Sequence, residues 1–147
     1  LFNDTNKTMA DKITTSWKGD LIFESLNPNN SKLTLGSGGN EQDNISGPKV
    51  LMLSSLAGCS GLDIISILDK MKVTLTDFKM NTFAELTDDH PRYYKQVNLE
   101  YHFYGPNLDE EKINRAVELS VTKYCGVMEM FRKFSEVNTS NHFHNLN

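Results

Sequence analysis

The chain has 147 residues, a formal net charge of −4 and two cysteines. This length fits one domain with one hydrophobic core, since single cores run to roughly 100–200 residues. The acidic balance argues against nucleic acid and an anionic membrane surface as partners, because both select basic proteins. Two cysteines far apart in sequence exclude a disulfide scaffold and do not suggest a zinc site, which needs about four ligands at short spacings.

The N-terminus lacks the basic start and apolar segment of a secretory signal, and its first residue is Leu. Residues 1–12 are therefore predicted to be a disordered segment or an expression remnant, followed by a single domain over residues 13–147. We expect the protein to be cytoplasmic. Alternating apolar residues and two turn sequences predict two hairpins or one meander over residues 13–35. A Gly-rich stretch, residues 36–47, is predicted to be a flexible surface loop.

A long apolar stretch follows, in which Asp63 is the only charged residue between Val50 and Leu68. It is long enough to span a membrane, but its Gly and Ser content and a central carboxylate make a span unfavourable. We interpret it as a helix beginning at Pro48 and buried on most faces inside a protein. Such a helix has more apolar surface than one small sheet covers, which predicts a second chain as its partner.

The remaining sequence predicts two strands, two helices and a last edge strand. Residues 73–85 and 93–104 alternate in hydrophobicity and form a hairpin, with positions 97, 99, 101 and 103 facing inward. Residues 109–123 form an amphipathic helix capped by Asn107, residues 127–134 a short helix, and residues 137–143 the edge strand. The order of elements indicates an α+β domain.

The two cysteines are the main candidates for chemistry. Cys59 lies among small residues (LAGCSG, 56–61), which leave room for a small substrate, and its neighbours Gly58 and Gly61 suggest that another backbone approaches closely. Cys125 directly precedes a short helix, where amide N–H groups lower a thiol pKa, so a partly ionised thiol is predicted there. The alternative is that both are small buried hydrophobic residues.

Other polar residues give weaker signals. Asp63, one helical turn after Cys59, either hydrogen-bonds within the site or pairs with a lysine or a backbone donor. Glu129 is interpreted as part of a solvated helix face. The four histidines, which show no ligand spacing, are interpreted as surface imidazoles: His90, His102, His142 and His144. An apolar patch near the C-terminus is predicted to be core: Met128, Met130, Phe131 and Phe134.

Two segments carry a family resemblance. Residues 47–68 (GPKVLMLSSLAGCSGLDIISIL) and 116–127 (AVELSVTKYCGV) resemble the first and second cysteine motifs of the OsmC/Ohr family of thiol-dependent peroxidases. The similarity covers roughly residues 46–143. It implies an OsmC-like fold, with an antiparallel sheet packed on a long central helix in an intertwined homodimer.

The resemblance also implies a mechanism. Cys59 would attack an organic hydroperoxide and become a sulfenic acid, Cys125 would condense with it to a disulfide, and an external dithiol would restore both thiols. No metal or organic cofactor is implied. Well-studied peroxidases of the family use an Arg and a Glu, whereas here Lys49 and Val50 occupy the region of the Glu. Lys18 is the only rough counterpart of the Arg.

These departures place the chain in a divergent branch and keep two other functions open. The first is a non-catalytic module of the same fold that binds a small hydrophobic ligand or senses redox state. The second is a cysteine-dependent hydrolase or acyl-transfer enzyme, which would need a base near Cys59 that the sequence does not identify.

Overall fold

The computed structural model describes residues 10–38 and 43–147. Its described residues form two compact units, one ending at Leu51 and the other spanning Met52–Asn147. Most of the predicted N-terminal segment and the centre of the predicted Gly-rich loop lie outside the described residues. The assignment of residues 13–147 to a single domain stays a prediction.

The first unit contains a three-stranded antiparallel sheet in the order β1-β2-β3. Its strands are β1 (Thr14–Trp17), β2 (Ile22–Leu26) and β3 (Lys32–Gly36). The first turn places Gly19 and Asp20 at φ 102° and 46°, in the left-handed region that Gly and Asp tolerate best. Of the two arrangements predicted for this segment, the structure has the meander.

The long helix α1 (Pro48–Lys70) begins at the predicted proline. It is long and apolar enough to cross a membrane by length and composition, although such a helix is also typical of a protein core. Its buried residues recur every three or four positions and form one face: Leu56, Ser60, Gly61, Ile64 and Leu68. Elsewhere it leaves large apolar side chains exposed, among them Leu62 at 76%. Burial on most faces is therefore not reached within the described part of one chain.

The second unit contains a three-stranded sheet in the order β4-β5-β6. Its strands are β4 (Asp77–Leu86), β5 (Tyr94–Gly105) and β6 (Glu136–Asn145). β4 and β5 form the predicted antiparallel hairpin, and β6 is the predicted edge strand. β6 runs parallel to β5, however, so the expectation of an antiparallel sheet is wrong for this strand. The reason is the helical crossover between β5 and β6, which returns the chain to the end of the sheet at which β5 begins.

The inner face of β5 forms the centre of the core. The predicted inward residues are all at most 1% exposed: Val97, Leu99, Tyr101 and Phe103. Helix α1 packs close to β4, because a Cβ on Gly61 would lie 2.7 Å from the Cε atom of Met80. The close neighbour at this glycine is thus a side chain and not the backbone that the sequence suggested. A Cβ on Gly58 would meet no atom of the described residues within 4 Å.

The crossover consists of α2 (Glu110–Leu119), a π-helical segment (Ser120–Tyr124) and α3 (Gly126–Arg132). Asp109, and not the predicted Asn107, caps α2 and accepts a hydrogen bond from the Lys112 amide at 3.1 Å. Two members of the predicted apolar patch, Met128 and Phe131, are buried, whereas Met130 is 65% exposed. The C-terminal patch is therefore only partly core.

Candidate thiol site

The structure brings the two cysteines together. The Sγ atoms of Cys59 and Cys125 and a carboxylate oxygen of Asp63 all lie within 4.8 Å of one another. Both thiols are free, with Cys125 buried and Cys59 half-buried. Helix α1 supplies Cys59 and Asp63 from adjacent turns of one face, and Cys125 is the N-cap residue of α3. Three reactive groups from two distant segments therefore form one cluster.

The π-helical segment positions Cys125. The wider turn ends where the Cys125 amide donates a hydrogen bond to the Ser120 carbonyl at 2.8 Å, and Cys125 then adopts an extended backbone. From this position its Sγ accepts a hydrogen bond from the Met128 amide at 3.3 Å. The sulfur therefore acts as the cap of α3. Single π turns inside helices are common at functional sites, because they redirect a side chain.

Burial changes the acidity expected for Cys125. Removal from water, and after it a hydrogen-bonding interaction with Cys59, raises the pKa of this thiol from 9.0 to about 11. The Met128 amide acts in the opposite direction but is outweighed. The prediction of a partly ionised Cys125 is therefore wrong. The amide donor at the start of α3, on which that prediction was based, is present as the Met128 N–H. The Cys125 thiol is protonated at neutral pH.

Asp63 lies beside the two thiols and close to the hydroxyl of Ser120. The fully buried hydroxyl of Ser120 lies 3.0 Å from the Ser60 carbonyl oxygen and 3.4 Å from Oδ2 of Asp63. This hydroxyl links α1 to the π-helical segment that carries Cys125. Asp63 also lines a cavity of about 400 Å³ together with Lys70 and Tyr124.

A second buried hydroxyl lies on the sheet side. Tyr101 donates a hydrogen bond to Ser60 Oγ at 2.9 Å, and Ser60 in turn donates to the Ala57 carbonyl at 3.1 Å. Burial raises the pKa of Tyr101 to about 12, so the phenol stays neutral at pH 7. Sequence reasoning placed Tyr101 in the core but missed its polar end. The only sequence signal for this polar end was the Tyr101 hydroxyl itself, because the other inward residues of β5 are apolar.

A surface cavity of about 340 Å³ reaches Cys125. Its wall includes Tyr124, which precedes α3, and Glu129 and Arg132 of α3 itself. Glu129 lies 3.2 Å from the Lys133 ammonium and 3.8 Å from the Arg132 guanidinium, and it is exposed, as its interpretation as a solvated helix face requires. Of the two cysteines, only Cys125 lines this cavity.

Lys18 lies in the first unit, in the turn between β1 and β2. Its ammonium is 3.7 Å from a carboxylate oxygen of Glu24, and its side chain is half exposed. This pair is a surface ion pair of the kind that contributes about 0–1 kcal/mol. A supporting role for Lys18 at the thiol site stays a prediction.

Comparison with known proteins identifies the family. Residues 41–140 match the family model described as OsmC-like protein. The chain belongs to the OsmC-like family. Among its OsmC-like relatives, protein YhfA of Escherichia coli K12 is 34% identical over 95 residues, which are 65% of this chain and 71% of YhfA.

Solved structures confirm the OsmC-like fold. A protein from Aquifex aeolicus VF5 aligns with a TM-score of 0.83 and 24% identity, over 95% of this chain and 100% of that one. The organic hydroperoxide resistance protein OsmC of Legionella pneumophila aligns with a TM-score of 0.66 and 18% identity, over 93% and 99%. The resemblance and the α+β fold inferred from the sequence are thus confirmed.

Proposed function

We propose that this OsmC-like protein reduces organic hydroperoxides, with Cys59 as the nucleophile and Cys125 as the resolving thiol. The observation that carries the proposal is the pair of free thiols, whose Sγ atoms lie within 4.8 Å of each other. Family membership supports a redox or peroxide-resistance role in general. The cytoplasm, where thiols are kept reduced, is the compartment that suits this chemistry.

The first step assigns the attack to Cys59. Its sulfur bonds to the terminal peroxide oxygen, the O–O bond breaks, and the alkoxide leaves as an alcohol after taking up the thiol proton, which leaves Cys59 as a sulfenic acid. Cys125 is poorly suited to this step. Its pKa is raised to about 11, so only a small minority of molecules carry the Cys125 thiolate at pH 7, and the thiolate is the reactive form. Cys59 is also the less buried of the two thiols.

The second step uses Cys125. Its sulfur attacks the Cys59 sulfenic acid, an S–S bond forms, the S–O bond breaks, and water leaves with the Cys125 proton. An external dithiol then supplies two electrons by thiol–disulfide exchange and restores the reduced pair.

Asp63 is proposed as a supporting residue. Its carboxylate lies beside both sulfurs and near the Ser120 hydroxyl. A carboxylate here can accept a hydrogen bond from the peroxide O–H, the function for which family peroxidases use a Glu that this sequence lacks. Lys18 is proposed as a weak substitute for the family's Arg, so Lys18→Ala should slow thiol alkylation at neutral pH only modestly.

The test of the reaction class is stopped-flow oxidation of the reduced protein by cumene hydroperoxide and by hydrogen peroxide. Faster oxidation by cumene hydroperoxide supports an organic hydroperoxide as substrate. A preference for hydrogen peroxide contradicts the proposed substrate class. If neither peroxide oxidises the thiols, the peroxidase proposal fails, and a non-catalytic module that binds a small hydrophobic ligand becomes the better hypothesis.

A second copy of the chain is proposed as the partner of α1. Leu62, Ile65 and Met52 are 76%, 47% and 45% exposed on this helix, a large apolar area for a monomer to leave in water. Next to them an apolar groove of about 730 Å³ runs between α1 and β4, lined in part by Gly58 and Met80. The intertwined homodimer implied by the sequence resemblance would cover this surface.

If the protein is such a dimer, we expect that dilution to micromolar concentration releases no folded monomer. Light scattering together with circular dichroism measures this directly. Leu62→Glu places a charge in the proposed interface and should abolish the native dimer, whereas Leu146→Glu, the same change at another exposed leucine, should leave it intact. A compact wild-type monomer with native circular dichroism would contradict the proposal.

A further inference from the structure

Three of the four histidines meet on the outer face of β5 and β6. In the parallel register His102 pairs with His142, and Tyr104 pairs with His144. His142 and His144 are two residues apart, so their side chains share one face of the strand. The sequence showed no ligand spacing because the third histidine comes from the neighbouring strand. The interpretation as separate surface imidazoles therefore does not hold for these three residues.

The cluster also contains a carboxylate. Oε2 of Glu100 lies 3.2 Å from Nε2 of His102, and Nδ1 of His102 lies 3.0 Å from Nε2 of His144. The rings of His102 and His142 stack with their centres 4.6 Å apart. One ligand atom from each of Glu100, His102 and His142 lies within 4.8 Å of the other two.

We propose that this cluster binds one divalent transition-metal ion of the Zn²⁺ type, with Glu100, His102 and His142 as ligands. Imidazole nitrogens with one carboxylate form a donor set that such ions prefer, whereas Ca²⁺ and Mg²⁺ select oxygen. Ligand atoms around a tetrahedral zinc lie roughly 3.4 Å apart, given metal–ligand bonds of about 2.0–2.1 Å. The Glu100–His102 pair already has this spacing. His142 closes the site by a side-chain rotation that releases its exposed contact with Ser140.

His144 has a positioning role and is not a ligand in this site. When Nε2 of His102 holds the metal, Nδ1 of His102 carries the proton and its N–H donates a hydrogen bond to Nε2 of His144. This is the arrangement by which a second residue fixes the tautomer and orientation of a ligating histidine. The Tyr104 ring stacks on His144 with ring centres 4.4 Å apart and holds the acceptor in place.

Across the sheet, Lys79 is the partner of His102 in the β4–β5 register. Its ammonium lies 3.5 Å from a carboxylate oxygen of Asp77 and 5.5 Å from the centre of the Tyr104 ring. Asp77 offsets the positive charge of Lys79, so Lys79 does not oppose a bound dication. A metal held by residues of both strands would join β6 to β5 and stabilise the folded state.

The test uses Zn²⁺ alone, measured by competition with a chromophoric chelator on the reduced full chain carrying Cys59→Ser. That substitution breaks up a second candidate metal cluster among the described residues, formed by Cys59, Asp63 and Cys125. We expect one Zn²⁺ per chain. His102→Ala and His142→Ala should each weaken binding by at least tenfold, and His144→Ala by about tenfold through loss of positioning.

His90→Ala is the matched control, because His90 is the histidine outside the cluster and lies in the connection between β4 and β5. It should bind Zn²⁺ as the parent does. Glu100→Gln keeps the shape of the side chain and removes its charge. If an alanine variant loses native circular dichroism, Zn²⁺ binding by Glu100→Gln tests the site instead. Equal weakening by His90→Ala, or unchanged binding in both His142→Ala and Glu100→Gln, would overturn the proposal. A shift of the His102 and His142 imidazole NMR signals on adding Zn²⁺, with His90 unshifted, would support it.

Discussion

Cys59→Ser is expected to reduce the rate of organic hydroperoxide consumption by roughly a thousandfold or more, the scale on which enzymes lose activity when their nucleophile is removed. The substitution replaces the attacking sulfur with a hydroxyl of similar size. The remaining thiol, Cys125, cannot take over, because burial keeps its pKa well above its usual value of 9.0. Peroxide consumption over time, with a dithiol reductant in excess, measures the effect.

The control for Cys59→Ser is a thiol count under native and denaturing conditions together with circular dichroism. The variant should keep the native fold and show one thiol per chain. A variant that still consumes peroxide within about tenfold of the wild-type rate would assign the attack to Cys125 or to a route that needs neither cysteine. Either result contradicts the roles proposed for the pair.

Cys125→Ser is expected to react once and stop. Cys59 still attacks the peroxide, but the sulfenic acid finds no second thiol within the chain, so it should persist and be trapped by dimedone. The variant should consume about one equivalent of peroxide per chain, and its turnover with a dithiol should fall below that of the wild type. The trapped adduct is located by mass spectrometry of the peptide that contains Cys59.

The same experiment has a clear contrary outcome. If Cys125→Ser turns over at the wild-type rate and forms no dimedone adduct, Cys125 is not the resolving thiol. Ser120→Ala is a useful companion variant, because Ser120 hydrogen-bonds Ser60 and contacts Asp63 without carrying a thiol. It should slow the formation of the disulfide without preventing it.

The hydrophobic pattern of the sequence predicted the helices and strands that bury one face. The alternation around Val97, Leu99 and Tyr101 predicted a strand with one buried face, and the structure places these side chains in the core. Pro48 and the apolar stretch after it predicted where α1 begins. In each case, the hydrophobic period directly reflects which side of the element is covered.

Features that depend on tertiary structure were not predictable in the same way. The parallel direction of β6 follows from the path of the crossover, which no local period specifies. The raised pKa of Cys125 comes first from burial, and a helix start in the sequence indicates only the opposing amide donor. The cluster of His102, His142 and His144 depends on the register between β5 and β6. The pairing of Cys59 with Cys125 was implied by family motifs and not by spacing.

The intact mass of the wild-type protein after one equivalent of organic hydroperoxide shows directly whether the two thiols form a disulfide. The proposal predicts a loss of about 2 Da per chain, as expected when two thiols become a disulfide, with digestion under non-reducing conditions joining the Cys59 and Cys125 peptides. The two sulfurs, now within 4.8 Å, must approach to roughly 2.05 Å, which requires a local movement of the turn before α3. If both thiols remain reduced in excess peroxide, or the disulfide links two chains, the account is contradicted.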